Sequence, residues 1–148
     1  MVLAKKEVRI PQKIEYEFEN VYAGFATDKG LVIDLDTIPF EKIQKIAEHH
    51  LKNDSLEGYI IMESSPQHYH IVFNAYLPWK TIAMILYSFR HPSIRQWADH
   101  QMRRGYLTLR VTPKNGYTPQ LRVLKGKCNK LINKYINTLN LFKDGKLW

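Results

Sequence analysis

The order of apolar and polar residues predicts short strands at several places along the chain. Gly30–Asp36 alternates around three apolar side chains and ends in two aspartates, as is typical of a strand with one buried face. Apolar runs at 59–63 and 68–75 predict two further strands with a short connection, and Tyr106–Val111 alternates again. A weaker alternation over Ile14–Val21 predicts an edge strand.

Apolar residues spaced three and four apart predict helices between these strands. One helix begins after Pro39, a second begins at Pro78 and a third follows Pro92, since proline favours the first turn of a helix. A basic helix with an apolar stripe is predicted from Cys128 to Leu139.

This order of elements predicts an α+β fold of the RRM/ferredoxin-like βαββαβ type. Such a unit is an antiparallel sheet with helices on one face and the other face open, and here a basic C-terminal helix follows it. The Asn115-Gly116 turn also predicts a loose hairpin between Tyr106–Val111 and Leu121–Leu124. No linker-like stretch divides the chain, so residues 1–148 are expected to form a single domain.

Composition narrows the class of protein. The chain has 148 residues with one cysteine, 45% hydrophobic and 24% charged residues, which excludes a disulfide scaffold and a disordered chain. No apolar run approaches the roughly 18 residues of a membrane span, and the N-terminus lacks the apolar core of a signal peptide. We therefore expect a cytoplasmic protein with no membrane partner.

Positive charge is concentrated at the C-terminal end. Residues 1–100 hold 11 Lys and Arg against 13 Asp and Glu, whereas residues 101–148 hold 11 against one. A segment this basic favours a polyanionic partner, because each cation near a phosphate releases condensed counterions. We expect nucleic acid, DNA rather than RNA, to be bound by seven of these residues: Arg103, Arg104, Arg122, Lys125, Lys127, Lys130 and Lys134.

Asp34 and Asp36 form the first candidate for chemistry. Two residues apart on a strand, their carboxylates leave the same face and repel each other unless a cation lies between them. Oxygen ligands of this kind suit Mg²⁺ or Mn²⁺, so the pair predicts a metal site. The alternative is structural, because Asp is also favoured at strand ends and as a helix N-cap.

His68 and His70 form the second candidate. They share one face of a predicted strand, whose other face carries the apolar side chains. If this strand pairs beside Gly30–Asp36, both histidines can share a face with Asp34 and Asp36. Otherwise they are a solvated surface pair.

Three segments carry a resemblance to a known superfamily. Leu31-Val-Ile-Asp-Leu-Asp36, then Ile60–Ser65 with His70-Ile-Val-Phe73, resemble the first two motifs of archaeo-eukaryotic primase–polymerases. Leu109-Arg-Val-Thr-Pro-Lys114 is similar to that superfamily's phosphate-binding segment. The resemblance covers about residues 30–116.

The resemblance implies a palm-like core that transfers nucleotides during DNA replication, with nucleoside triphosphate as substrate and other replication proteins as partners. It implies that Asp34 and Asp36 hold Mg²⁺ or Mn²⁺ as catalytic residues. His70, as a further catalytic residue, would contact the incoming nucleotide together with Ser65. Arg110 and Lys114 would bind its phosphates.

Two alternatives stay open. His68-Tyr-His70 also resembles the His-hydrophobic-His motif of rolling-circle replication initiators, which implies a nickase with both histidines on one metal and Tyr106 as nucleophile. The third carboxylate of the primase–polymerases has no clear match, which favours a catalytically inactive palm-like adaptor that binds nucleic acid.

Overall fold

The computed structural model describes residues 24–114, 116–127 and 130–142. The described strands are β1 (Gly24–Thr27), β2 (Gly30–Asp36), β3 (Gly58–Ser65), β4 (His68–Tyr76), β5 (Leu107–Arg110) and β6 (Gln120–Gly126). The described helices are α1 (Phe40–Asn53), α2 (Trp79–Tyr87), α3 (Pro92–Arg104) and α4 (Lys130–Phe142). In these stretches no helix combines the length and the apolar character needed to cross a bilayer.

The fold is α+β, as the sequence predicts. Four strands form an antiparallel sheet in the order β2-β4-β3-β6, and β1 and β5 form a separate antiparallel pair. Along the chain, β2 to β5 follow the predicted succession of strands and helices. The predicted edge strand at Ile14–Val21 and the Cys128 start of the last helix lie outside the described residues.

The predicted hairpin between 106–111 and 121–124 is wrong. β5 pairs with β1, and β6 instead pairs with β3 at the edge of the sheet. Two facing glycines make this pairing possible, because a Cβ on Gly126 would lie 2.1 Å from the Glu57 carbonyl oxygen and one on Gly58 would lie 2.6 Å from that of Lys125. Backbones this close exclude side chains at both positions.

Helices cover both faces of the sheet, so the predicted open face is also wrong. On one face, Tyr69 and Phe73 of β4 contact Phe40 and His50 of α1, with ring centroids 5.6 and 6.3 Å apart. On the other face, α4 packs its apolar stripe, and Tyr135 is fully buried.

The sheet offers α4 an apolar surface. Val32, Val72 and Ile60 are aligned across three strands, all are fully buried, and they alternate with the residues that face α1. Covering such a patch with an amphipathic helix stabilises the fold by about 25 cal/mol per Å² of apolar surface removed from water. The face predicted to be open therefore holds part of the core.

Candidate functional site

Asp34, Asp36, His68 and His70, here called the Asp–His cluster, lie side by side on two neighbouring strands. The register of β2 and β4 pairs Asp34 with His70 and Asp36 with His68. All four side chains therefore project from one face, as the sequence predicts. His68 Nδ1 lies 2.6 Å from Asp36 Oδ1, and His70 Nε2 lies 3.7 Å from Asp34 Oδ1.

The two Asp–His pairs differ in exposure. The side chains of His68 and Asp36 are 42% and 46% exposed, whereas those of His70 and Asp34 are 3% and 26% exposed. The outer pair is a solvent-accessible hydrogen bond. The atoms of the inner pair are too far apart for a direct hydrogen bond. The Asp34 side chain is partly shielded from water.

The environment of Asp34 disfavours its negative charge. Burial, together with the nearby charge of Asp36, raises the pKa of Asp34 to about 7, against smaller opposing effects of Arg110 and Lys114. Near neutral pH, Asp34 is therefore divided between its two protonation states. A cation placed between the two carboxylates would favour the ionised form.

His70 is held between the sheet and α4. Its Nδ1 lies 2.7 Å from the Tyr135 hydroxyl, and both side chains are buried. Burial, together with the charges of Arg110 and His68, lowers the pKa of His70 to about 3, so the imidazole is neutral at pH 7. In this arrangement α4 separates His70 from solvent, and contact with a nucleotide would require α4 to move.

Arg110 and Lys114 bring positive charge to the cluster. The Arg110 guanidinium donates from Nε to the Thr112 carbonyl and from Nη2 to the Ser64 carbonyl, with distances of 3.1 Å. These bonds fix the guanidinium at the end of β3. Lys114 is exposed, so its ammonium can reach a ligand in solvent.

A cavity of about 420 Å³ opens beside the outer Asp–His pair. It is lined by Ser65, Pro66, His68, Lys114, Gly116 and Tyr117. This volume lies within the range of small-molecule sites. The structure thus brings the predicted residues Ser65, His68 and Lys114 to one cavity.

Sequence reasoning missed Tyr117 and Glu63. The Tyr117 hydroxyl donates to Glu63 Oε1 at 2.7 Å, and Arg122 Nη1 donates to the same oxygen at 3.0 Å. Burial acts to raise the pKa of Glu63, but hydrogen bonds from Tyr117, Tyr69 and Arg122 and the charge of Arg122 outweigh it, and the pKa is lowered. The position of Tyr117 just after the predicted Asn115-Gly116 turn could have indicated that it returns toward the sheet.

The predicted metal can be tested against this donor set. Among the described residues, no group of three or more His, Cys, Asp and Glu side chains is arranged as a metal site. Magnesium, however, is usually bound by one or two carboxylates, with water and substrate phosphates as the remaining ligands. Asp34 and Asp36 fit this mode, because they share one strand face and both burial and the charge of Asp36 disfavour the ionised form of Asp34 when no cation is bound.

Tyr106 lies at the opposite end of β5 from Arg110, the residue of this strand whose charge acts on the cluster. It immediately precedes β5, whereas Arg110 ends that strand, so about 13 Å of extended chain separates the two residues. The guanidinium of Arg104 lies 4.9 Å from the centroid of the Tyr106 ring.

The predicted nucleic-acid-binding residues do not form one surface. Arg122 lies over Phe40, and Lys125 forms an ion pair with Glu48, so both are on the α1 side of the sheet. Lys127, Lys130 and Lys134 lie in or just before α4, on the opposite side. Arg103 and Arg104 form the last turn of α3.

Comparison of the chain with known protein families, with curated proteins and with solved structures finds no match.

Proposed function

We propose that this protein catalyses metal-dependent nucleotidyl transfer on nucleic acid, in the manner of a primase–polymerase acting in DNA replication. The observation that carries the proposal is the placement of Asp34 and Asp36 on one strand face, beside Arg110, Lys114 and a cavity. Phosphoryl transfer requires carboxylates that hold a hard metal ion, next to positively charged side chains that bind phosphate.

Each group has a role in this proposal. Asp34 and Asp36 would hold Mg²⁺ or Mn²⁺, which when bound neutralises charge on the triphosphate and polarises the attacked phosphorus. Lys114 and Ser65 would bind the triphosphate from the cavity wall. Arg110 would bind the phosphates from a fixed position, because its hydrogen bonds to two carbonyls restrict its side chain.

His70 enters the proposal in one of two ways. If α4 moves aside, Nε2 can contact a phosphate, as the resemblance implies. If α4 stays in place, His70 contacts no phosphate and its role is limited to the environment of Asp34, whose Oδ1 lies 3.7 Å from Nε2. The RRM-like interpretation is supported by the succession of elements from β2 to β5, although β5 pairs outside the four-stranded sheet.

Nucleotide incorporation tests the proposal. Purified protein is incubated with a primed template, labelled nucleotides and Mg²⁺ or Mn²⁺, and compared with Asp34→Asn/Asp36→Asn. The matched control is Glu41→Gln, an exposed carboxylate on α1. We expect incorporation by the wild type and the control, and none by the double variant. Equal incorporation by all three proteins, or by none of them, contradicts the proposal.

A second candidate is a catalytically inactive palm-like adaptor that binds nucleic acid. It is favoured by the burial of His70 under α4 and by the hydrogen bond that occupies Asp36. This candidate predicts salt-sensitive DNA binding that survives chelation of metals, with no incorporation. The nickase is not proposed, because Tyr106 precedes β5 whereas Arg110, which acts on the cluster, ends it.

A further inference from the structure

A second cavity lies at the opposite end of β2 and β4 from the Asp–His cluster. Its volume is about 360 Å³, and its lining consists of Asp28, Lys29, Tyr76, Leu77, Pro78 and Trp79. Gly30 pairs with Tyr76 at this end, whereas Asp36 pairs with His68 at the other. Six residues of strand separate the two ends, or about 20 Å.

Two aromatic side chains line this cavity. Tyr76 is 43% exposed at the end of β4, and Trp79 at the start of α2 is only partly buried. The two segments of the lining are held together, because the Leu77 amide donates to the Lys29 carbonyl at 2.6 Å. Aromatic rings that remain accessible in a fixed concave site are typical of ligand binding.

Lysines lie in the cavity lining and in segments next to it. Lys29 is part of the lining, and Lys80 follows Trp79 directly. The Lys127 carbonyl accepts a hydrogen bond from Asn74 of β4 at 2.8 Å, two residues before Tyr76.

The start of α4 adds a fourth lysine. A Cβ on Gly30 would lie 2.6 Å from Leu131, which places Lys130, the first residue of α4, near the same end of the sheet. These segments carry four lysines against two carboxylates, Asp28 and Glu57, whose carbonyl accepts a hydrogen bond from the Lys127 amide. Their net positive charge is complementary to a polyanion.

We propose that this cavity, the Tyr76–Trp79 cavity, binds single-stranded nucleic acid, with bases stacked on the aromatic rings and phosphates contacted by the lysines. Aromatic rings interleaved with cations are the general means of holding a single strand, because every base has a face that can stack. Bases in a duplex are already stacked and cannot enter. This inference rests on the proposed function, which supplies nucleic acid as the partner, and it adds the place where the strand is held.

Fluorescence anisotropy with a labelled oligothymidylate of about twelve nucleotides tests the inference, with oligouridylate of equal length as the RNA arm. The length spans the two sites at about 3.4 Å per nucleotide. EDTA is present throughout, so that binding does not depend on a metal. The variants are Tyr76→Leu and Lys29→Gln, and the matched control is Tyr87→Leu, a tyrosine 42% exposed outside the cavity.

We expect Tyr76→Leu to weaken binding roughly tenfold, as for loss of one stacked base. Lys29→Gln should reduce the slope of log affinity against log salt by about 0.7, the value for one phosphate contact in a single strand. Tyr87→Leu should bind within about twofold of the wild type. Circular dichroism verifies folding, and Lys29→Gln decides the result if Tyr76→Leu does not fold.

Two results would overturn the inference: unchanged affinity and salt slope in the cavity variants, or equally tight binding of a duplex of the same length. The double variant Asp34→Asn/Asp36→Asn tests the proposed function separately from this inference. It should bind the single strand as the wild type does. Strand binding through the cavity without incorporation contradicts the proposed function alone. Incorporation with unchanged strand binding in the cavity variants contradicts this inference alone.

Discussion

The hydroxyl of Tyr135 lies 2.7 Å from Nδ1 of His70, and this hydrogen bond joins α4 to the strand that carries half of the Asp–His cluster. Tyr135 is 0% exposed and His70 is 2% exposed. The bond therefore couples the C-terminal helix to the candidate site through two polar groups that have no access to water.

Removal of the Tyr135 hydroxyl is expected to destabilise the protein. Tyr135→Phe keeps the ring and its edge contact with Phe25, at 5.5 Å between centroids, but leaves His70 Nδ1 buried without this partner. A buried polar group left unsatisfied costs about 1–3 kcal/mol. Urea unfolding measures the change, and Tyr76→Phe, at a tyrosine that is 43% exposed, should change stability by less than about 0.5 kcal/mol. Equal effects of the two variants would contradict the assigned bond.

Asp34 and His70 are expected to give opposite slopes of stability against pH. The pKa of Asp34 is raised to about 7, so the folded state holds this proton more tightly and stability falls as pH rises from about 4 to 7. The pKa of His70 is lowered to about 3, so the unfolded state binds the extra proton and stability rises from about pH 3 to 6.5. Between about pH 4 and 6.5 the two effects oppose each other.

Asp34→Asn separates these two contributions. We expect the variant to gain stability with pH between about 4 and 6.5, with a slope of at most about 1.4 kcal/mol per pH unit, and to exceed the wild type above pH 7. Urea unfolding across this range measures both properties. A variant that follows the wild-type profile would show that Asp34 titrates normally.

Arg110 and Lys114 should respond differently to substitution. Arg110→Lys removes the guanidinium that bonds the Ser64 and Thr112 carbonyls, so stability should fall by about 1–2 kcal/mol and nucleotide binding should weaken. Lys114→Gln should weaken nucleotide binding roughly tenfold with stability unchanged, because this lysine is exposed at the cavity. Calorimetric titration and urea unfolding report the two effects, and nucleotide affinity unchanged in Lys114→Gln contradicts its role.

Gly126 and Gly105 form a matched pair for testing the edge of the sheet. Both have positive φ, +76° and +81°, but a Cβ would meet the Glu57 backbone only at Gly126. Gly105→Ala should therefore cost about 1–2 kcal/mol for its backbone conformation alone. Gly126→Ala should cost clearly more, since β6 must shift from β3. Thermal unfolding measures both variants, and equal costs would argue against the close approach.

The sequence allows the Asp–His cluster to be predicted because strand periodicity is local. Alternation places Asp34 with Asp36 and His68 with His70, and an antiparallel pairing brings the two pairs together. The partners of β5 and β6 depend on contacts between distant segments. The two glycines that let β6 approach β3 are 68 residues apart, and neither has a local pattern that identifies the other.

The covering of the second face by α4 could not be predicted from polar residues alone. The histidines and aspartates indicated a solvated face, but Val32, Ile60 and Val72 on that same face are apolar and attract the stripe of α4. Tyr135 reads as an ordinary stripe residue, and its hydroxyl gains a specific role only because His70 lies opposite. Side chains on one strand face thus serve both the core and the candidate site.

Anomalous diffraction from crystals soaked with Mn²⁺ and a nucleoside triphosphate tests the central claim most directly. The account predicts a manganese peak between Asp34 and Asp36, because a metal there removes the repulsion between the two carboxylates and lowers the pKa of Asp34. A peak centred on His68 and His70 with both aspartates unliganded, or no peak in this region at all, would contradict it.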